Sequence, residues 1–290
     1  MAKKRALLVA INDYPGTRND LQSCVNDLVA IEQTIAGDLG FADIKRLTDS
    51  DATVANVEVA LRELFKGAEI GDQLLFFYSG HGTQVVNGTT MEEALYLFDG
   101  SFLDNRLVDL AKGLPPGCLT VFLDSCFSGG MEKRLFESDE QRDVARSKYA
   151  LPDTTEKMIL DVAARALISA YRPFGCSLIK TAFTEVAFRN ALLTVKESDE
   201  SGQPQLNGLL IAASSEDETA SANTPATMGL SAFSFCFRKS LSSAKTASIS
   251  HLIADANKQL KTLGFRQTPL AKANPADLVN RSFLSATPGT

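Results

Sequence analysis

The sequence predicts an α/β fold built on a mostly parallel sheet, and two observations carry that prediction. Short, continuously apolar runs recur along the first half of the 290-residue chain, which is typical of strands buried on both faces of a parallel sheet. Between these runs, apolar residues recur every three or four positions, as they do on the buried face of a helix. The alternation of strand and helix patterns indicates βαβ units.

Each predicted element has its own signal in the sequence. The first strand is a continuous apolar run, the first helical stripe ends at Gly37 and Gly40, and Thr53 is a candidate N-cap for the second stripe. The predicted strands cover residues 6–11, 44–47, 74–78, 95–98, 119–123 and 209–213, and the predicted helices cover 21–35, 54–65, 229–242 and 248–263.

The composition excludes several classes of protein. Acidic residues number 35 against 29 basic ones, giving a net charge of −6, whereas nucleic-acid-binding proteins normally carry a basic surplus. Five scattered cysteines and two histidines are too few for a disulfide scaffold or a histidine-rich metal site. No apolar run approaches the roughly 18 residues that span a membrane. We therefore expect a cytoplasmic protein with no nucleic-acid or membrane partner and no metal. A monomer is favoured, although the sequence leaves the oligomeric state open.

Two short segments each place a reactive side chain among small residues at the end of a predicted strand. His81 lies between Gly80 and Gly82 after the strand at 74–78, and Cys126 follows the strand at 119–123. Parallel strands place their carboxyl ends at one edge of the sheet, where α/β proteins bind ligands. His81 and Cys126 are therefore expected to meet there.

A thiol beside an imidazole is a nucleophile beside its base. An ordinary thiol has a pKa near 8.5 and is mostly protonated at neutral pH, so an imidazole that takes the proton activates it and can later protonate a leaving amine. The backbone N–H groups of Gly82 and Cys126 are candidate donors to a developing oxyanion. A single such cysteine is more often a buried core residue and a single such histidine a loop residue, but the joint pattern favours catalysis.

The same segments resemble a known family. Residues 78–82 (YSGHG) and 124–129 (DSCFSG) resemble the paired His and Cys motifs of the metacaspases, within the caspase-like cysteine peptidases. Residues 10–14 and 21–27 resemble the family's first strand and first helix, 212–222 the start of its small subunit, and 264–269 its late turn. The resemblance implies a caspase-like three-layer sandwich with helices on both faces of the sheet. It divides a single domain into a large portion (1–130), an insertion or linker (131–206) and a small portion (207–290).

The resemblance also implies a cysteine endopeptidase that cleaves after Arg or Lys through an acyl-enzyme. Cys126 would be the nucleophile and His81 the general base, acting on protein or peptide substrates. Two alternatives remain open at this point. One is a caspase-like scaffold or binding module without activity, and the other is a Cys/His acyl-transfer ligase on the same fold.

Four further residues would line the pocket for P1, the residue before the cleaved bond. Asp27 and Asp124 correspond to acidic residues that face a basic P1 side chain in the family, and two carboxylates would attract Arg or Lys and repel Asp. Ser79 lies near the same pocket by resemblance. Glu218 takes a loop position where the family often has Gln.

Calcium is expected not to be strictly required, although many eukaryotic relatives need it. Lys133 stands where an acidic ligand would be expected. Carboxylates elsewhere form no recognisable calcium loop, although several are available, namely Glu92, Glu93, Asp99 and Asp104.

Residues 131–150 hold ten charged side chains, a pattern that predicts a solvated helix or a mobile surface loop. Relatives often cut themselves between their large and small portions, and the basic residues of this region are chemically suitable cleavage points. The candidates are Lys133, Arg134, Arg142, Arg146, Lys148 and Lys196. The remaining cysteines are expected to be structural and His251 to lie on the surface.

Overall fold

The computed structural model describes residues 2–87, 90–126, 147–148, 150, 206–215, 220–222 and 225–285. The strands are β1 (Lys4–Ala10), β2 (Asp43–Thr48), β3 (Gln73–Ser79), β4 (Gly82–Asn87), β5 (Thr90–Leu97), β6 (Gly100–Leu103), β7 (Leu119–Asp124), β8 (Leu209–Ala212) and β9 (Leu270–Ala273). The helices are α1 (Cys24–Leu39), α2 (Val54–Phe65), α3 (Asp104–Ala111), α4 (Ala232–Ser243) and α5 (Ile249–Thr262).

Six strands form the main sheet, in the order β2-β1-β3-β7-β8-β9. Every pairing in this sheet is parallel except that of β8 with the edge strand β9. The predicted mostly parallel sheet is therefore confirmed. A second, antiparallel sheet of β4, β5 and β6 continues from the end of β3.

Helices complete a three-layer α/β arrangement around the main sheet. Helix α1 contacts β1, β3 and α4, and α4 packs on α5. Helix α2 contacts β1, β2 and β3, and it also meets α3. The two central strands β3 and β7 are buried at every residue, which explains why their sequences are continuously apolar rather than alternating.

Aromatic rings join the C-terminal helices to the centre of the sheet. The ring of Phe122 on β7 lies 5.2 Å from that of Phe233 and 5.0 Å from that of Phe237, both on α4. Phe283 packs edge-on against Phe237 at 5.2 Å. Such ring pairs add to the stabilisation that burial supplies. They fix the start of α4 beside the carboxyl end of β7.

Most predicted elements are present within a few residues of their expected bounds. The Thr53 side chain accepts a hydrogen bond from Asn56 N, so the predicted N-cap of α2 is confirmed. The sequence analysis missed β4, β6, α3 and β9. These elements are short or polar, so no buried apolar stripe marks them. The proposed division at 130 and 207 stays a prediction, although β8 pairs directly with β7.

Candidate active site

The predicted meeting of two strand ends occurs at the carboxyl edge of the main sheet. Strands β3 and β7 are neighbours, and their last residues, Ser79 and Asp124, are paired in register. His81 and Cys126 each follow two residues later, and both are buried. The parallel pairing therefore brings the two segments together.

A carbonyl oxygen of the chain itself, that of Lys148, lies between these segments. Lys148 O accepts hydrogen bonds from Gly82 N at 2.8 Å and from Cys126 N at 3.3 Å. These two amides are the donors that the sequence analysis named for an oxyanion. The carbonyl that they hold belongs to the peptide bond that follows Lys148.

Backbone hydrogen bonds hold the chain on both sides of the Lys148 carbonyl. Lys148 N donates to Ala220 O at 3.1 Å, and Ser147 forms an antiparallel bridge with Ser221. On the other side of the bound carbonyl, Ala150 N donates to Gly82 O at 3.0 Å. Backbone pairing of this kind is how proteins bind extended peptides at an exposed strand edge.

The side chain of Lys148 fills a closed acidic pocket. Its Nζ lies 2.9 Å from Asp124 Oδ1, 2.8 Å from Ser79 Oγ and 3.3 Å from Asp27 Oδ2. It also donates to the carbonyl oxygen of Asp124 at 2.9 Å. Lys148 is fully buried, so the prediction of a solvated segment at 131–150 is wrong for this residue. A lysine is buried this deeply only where charged partners compensate its desolvation.

Burial and charge oppose each other at the pocket carboxylates. Burial raises the pKa of Asp27 to about 6, although the Lys148 ammonium and the hydroxyl of Ser231 act to lower it. The pKa of Lys148 is raised above its usual value, because the nearby carboxylates outweigh the burial that would lower it. Asp27 therefore depends on its neighbours to stay ionised near neutral pH.

His81 is held from three directions. Its ring Nε2 lies 2.7 Å from the carbonyl oxygen of Asn19. Since a carbonyl can only accept, Nε2 carries the hydrogen and Nδ1 is the basic nitrogen of the neutral ring. The backbone of His81 donates to Tyr14 Oη at 2.8 Å and accepts from Tyr78 Oη at 2.7 Å.

Gly80 leaves the space that these two hydroxyls need. A Cβ at this position would lie 2.5 Å from Tyr78 Oη and 2.8 Å from Tyr14 Oη. Any larger residue would therefore displace the groups that fix the backbone of His81.

The thiol of Cys126 is neutral while Lys148 occupies the site. Burial raises its pKa to about 11, and hydrogen bonds act in the opposite direction. Sγ accepts from Ala220 N at 2.6 Å and donates to Ala220 O at 3.4 Å. A proton acceptor is therefore needed before this sulfur can act as a nucleophile.

The other sequence-predicted residues lie as follows. Ser79, Asp27 and Asp124 surround the Lys148 ammonium, whereas Glu218 lies outside the described residues. Cys24, Cys118 and Cys236 are buried and His251 is exposed; Cys176 lies outside the described residues.

Of the proposed cleavage points, Lys148 alone falls in the described part of the chain. The sequence analysis missed Asn19, Ala220, Ser231 and Ser234.

The available carboxylates do not assemble a calcium site in the part of the chain that the structure describes. Asp99 Oδ1 accepts from Val54 N at 2.7 Å, and Asp104 Oδ1 accepts from Asn105 N at 2.6 Å. The described residues contain no cluster of three or more His, Cys, Asp or Glu side chains able to hold a metal ion. Lys133 lies outside them.

Comparison with known proteins places this geometry in a family. A family model described as a caspase domain matches residues 3–279. The chain belongs to the caspase-domain family. It is 38% identical over 170 residues to metacaspase-7 of Arabidopsis thaliana, a match that covers 53% of this chain and 41% of the plant protein. It is 40% identical over 146 residues to metacaspase-1 of Yarrowia lipolytica, covering 44% and 32% of the two chains.

The matched part is thus less than half of each of these two metacaspases. A solved structure supports the fold over the whole chain: the GSU0716 protein of Geobacter sulfurreducens superposes with a TM-score of 0.66 at 20% identity, covering 98% of this chain and 99% of that one. Among the described helices of the caspase-domain protein, none has the length and apolar character that crossing a bilayer requires.

Proposed function

We propose that this caspase-domain protein is a cysteine endopeptidase that cleaves peptide bonds after a basic residue. The observation that carries the proposal is the binding of Lys148. Its ammonium lies between two carboxylates, while its carbonyl oxygen accepts from the amides of Gly82 and Cys126. A bound lysine thus has its charge in a specificity pocket and its carbonyl where an oxyanion would be stabilised.

The reaction follows from the groups around that carbonyl. His81 Nδ1 takes the Cys126 proton, and Sγ bonds to the carbonyl carbon while the oxygen gains charge facing the two amides. The C–N bond breaks as His81 returns the proton to the departing amine, leaving a thioester. Water, deprotonated by His81, then attacks the thioester, so that an acid and the free thiol are restored.

Peptides that differ only at P1 test the specificity. Lysine and arginine peptides should be cleaved, whereas matched peptides with Asp or Gln at P1 should not, because they place a negative or neutral group beside two carboxylates. Cys126→Ala should abolish cleavage. Cleavage after Asp, or equal cleavage of all four peptides, would overturn the basic specificity. Failure of a lysyl electrophile to label Cys126 would favour an inactive scaffold, and transfer of the acyl group to an added amine would favour a ligase.

Among the candidate points of self-cleavage, we propose the bond after Lys148. This bond already has its carbonyl on both amides, and its lysine already fills the pocket. Mass spectrometry of the purified chain should find fragments 1–148 and 149–290, and these should be absent from Cys126→Ala and from Lys148→Gln. Lys196→Gln is the matched control and should still be cut. An intact wild-type chain under conditions in which lysyl peptides are cleaved would mean that Lys148 acts only as an internal inhibitor.

We propose that calcium is not strictly required. Asp99 and Asp104 each accept a hydrogen bond from a backbone amide, and no group of three or more candidate ligands gathers within the described residues. Cleavage of a lysyl peptide should therefore persist in excess chelator. Complete loss in chelator, restored by calcium, would contradict this.

We also propose that the protein acts as a cytoplasmic monomer. The four cysteines in the described part of the chain are free thiols, which suits a reducing compartment. Sedimentation should give the mass of one chain, and cell fractionation should recover the protein with soluble markers; a dimer or a membrane-bound pool would contradict these assignments.

A further inference from the structure

The two acidic residues of the pocket are themselves held by a helix from the other end of the chain. Ser231 immediately precedes α4, and Ser234 lies in its first turn. Ser231 contacts Asp27 across 204 residues of sequence, and Ser234 contacts Asp124 across 110. The pocket therefore takes its carboxylates from α1 and β7 and the hydroxyls that hold them from the start of α4.

Asp27 receives three hydrogen bonds from serines. Ser231 donates to it twice, from N to Oδ1 at 2.8 Å and from Oγ to Oδ2 at 2.5 Å. Ser79 Oγ donates to Oδ2 at 2.7 Å. Since the single hydroxyl hydrogen of Ser231 is given to the carboxylate, Ser23 Oγ, 2.8 Å away, must donate to Ser231 in turn. The chain of hydroxyls points its hydrogens at the carboxylate.

The start of α4 departs from ordinary capping. Ser231 is the N-cap residue, and a serine there usually bonds an N–H of the first turn. Its side chain makes no such bond. The first-turn amide of Ser234 instead donates to Asp124 Oδ2 at 3.1 Å, and Ser234 Oγ donates to the same oxygen at 2.5 Å. The carboxylate of β7 caps the helix, which leaves the N-cap hydroxyl for Asp27.

This arrangement favours the charged form of Asp27 and fixes the position of the Asp124 carboxylate. Hydrogen bonds that end on a carboxylate stabilise it relative to the protonated acid, and the first turn of a helix adds a partial positive charge. The groups that act electrostatically on Asp27 are Lys148, Asp124 and Cys24. When a substrate has not yet supplied its ammonium, the serines and the helix must offset burial and the repulsion from Asp124.

We propose that Ser231 and Ser234 are positioning residues. Ser231 keeps Asp27 charged, and the two serines hold Asp27 and Asp124 oriented toward a basic side chain, so that α4 sets the strength of P1 selection. This inference rests on the proposed function, because it assumes that the pocket selects P1. Neither serine is assigned a contact with the substrate. They act through the two carboxylates.

Ser231→Ala tests the inference in the Lys148→Gln chain, in which the internal lysine does not compete with added peptide. The KM of a lysyl peptide should rise about tenfold or more at pH 7, the usual effect of removing a hydrogen bond to a charged group, while kcat changes less than about twofold. The acidic limb of the kcat/KM profile should move to higher pH. Ser231→Thr keeps the hydroxyl, so both the KM and the position of the acidic limb should return to the values of the parent chain. Ser242→Ala should match the parent, because Ser242 lies on the exposed side of the same helix and its hydroxyl donates to Arg238 O.

A purely structural role would lower thermal stability without moving the pH limb. An unchanged KM with an unchanged pH limb in Ser231→Ala would overturn the inference. So would an equal loss of kcat toward every substrate.

A second measurement separates this inference from the proposed function. In the Cys126→Ala chain, carbon NMR can follow the titration of the Asp27 carboxyl with Lys148 still in the pocket. Ser231→Ala should raise the pKa of Asp27, because the hydroxyl bond acts to lower it, and an unchanged pKa would overturn the inference even if no peptide is cleaved. If the wild-type chain fails to cleave lysyl peptides while the pKa of Asp27 still rises, the proposed function fails and the positioning role of Ser231 stands.

Discussion

The two ends of the site are held by different kinds of contact. The reaction end comprises His81, Gly82 and Cys126, and the charge end comprises Ser79, Asp27 and Asp124. At the reaction end, backbone groups make most of the contacts: the His81 ring bonds a carbonyl, and the Cys126 sulfur bonds the backbone of Ala220. At the charge end, hydroxyls and an ammonium surround the carboxylates. Side-chain substitutions can therefore dismantle the charge end one contact at a time, whereas most contacts of the reaction end persist in any variant.

Removal of the nucleophile should distinguish the two ends most clearly, because it should abolish catalysis and leave substrate binding intact. Cys126→Ala should lower kcat by on the order of 10⁴-fold or more, since loss of a nucleophile removes the covalent route. In the Lys148→Gln background, the affinity for a lysyl peptide should stay within about threefold, because the pocket contacts are untouched. Fluorescence anisotropy measures this affinity. Cys118→Ala is the control and should keep its activity, because this buried cysteine precedes β7 at the opposite end of that strand from the site. A parallel loss of binding would show that the two ends are not separable.

Neutralisation of a pocket carboxylate should have the opposite effect: recognition of a basic P1 residue should weaken while the reactivity of Cys126 is retained. Asp124→Asn removes the charge 2.9 Å from the lysine Nζ, and breaking a buried ion pair on one side typically costs 3–5 kcal/mol. We expect kcat/KM for a lysyl peptide to fall roughly 10²- to 10³-fold. Iodoacetamide has no P1 group, so the rate at which it alkylates Cys126 should stay within about threefold of the rate in the unsubstituted chain. Asp38→Asn, which removes an exposed ion pair with Lys245, should change neither. Slow alkylation in Asp124→Asn would mean that the reaction end depends on this charge.

The reaction end was predictable from sequence because its signals are local. Each reactive residue follows a buried apolar strand and stands beside small residues, and the rule that parallel strands end at one edge places them together. The buried central strands of the main sheet were predictable for the same reason, whereas its short edge strand β9 was missed. Its central strands have no polar face, and such runs are distinctive.

The charge end was only partly predictable, because its contacts join distant parts of the chain. Asp27 and Asp124 came from a family resemblance and not from any local pattern. Ser231 looks like an ordinary N-cap, so nothing in its neighbourhood signals a bond to Asp27. Lys148 lies in a strongly charged stretch, which normally means solvent; its burial requires two carboxylates that sequence reasoning could not place around it.

Acidity should weaken the charge end before it affects the fold. Beside Lys148, the pKa of Asp27 is raised to about 6 by burial, and the ammonium acts to lower it. The pKa should therefore be higher in an empty pocket. Only the ionised form attracts a basic P1 side chain, so kcat/KM for a lysyl peptide should fall by up to about tenfold per pH unit as pH drops through this value. Because imidazoles titrate in the same range, the control is the pH dependence of iodoacetamide alkylation. If peptide cleavage and iodoacetamide alkylation lose rate over the same pH range, the effect belongs to His81 alone.

The smallest expected effect concerns the one side chain that fixes the His81 amide. Tyr14 Oη accepts from His81 N at 2.8 Å, and the two rings lie 4.9 Å apart. Tyr14→Phe keeps the ring but leaves a buried N–H without its acceptor, which typically costs 1–3 kcal/mol. Because this cost falls on the backbone that aims the imidazole, we expect kcat to drop about fivefold while the KM for lysyl and arginyl peptides stays the same. Single-turnover kinetics should place the loss in acylation. A change in P1 preference in Tyr14→Phe would mean that the two ends of the site are mechanically coupled through β3, and that the separation argued from their contacts does not hold.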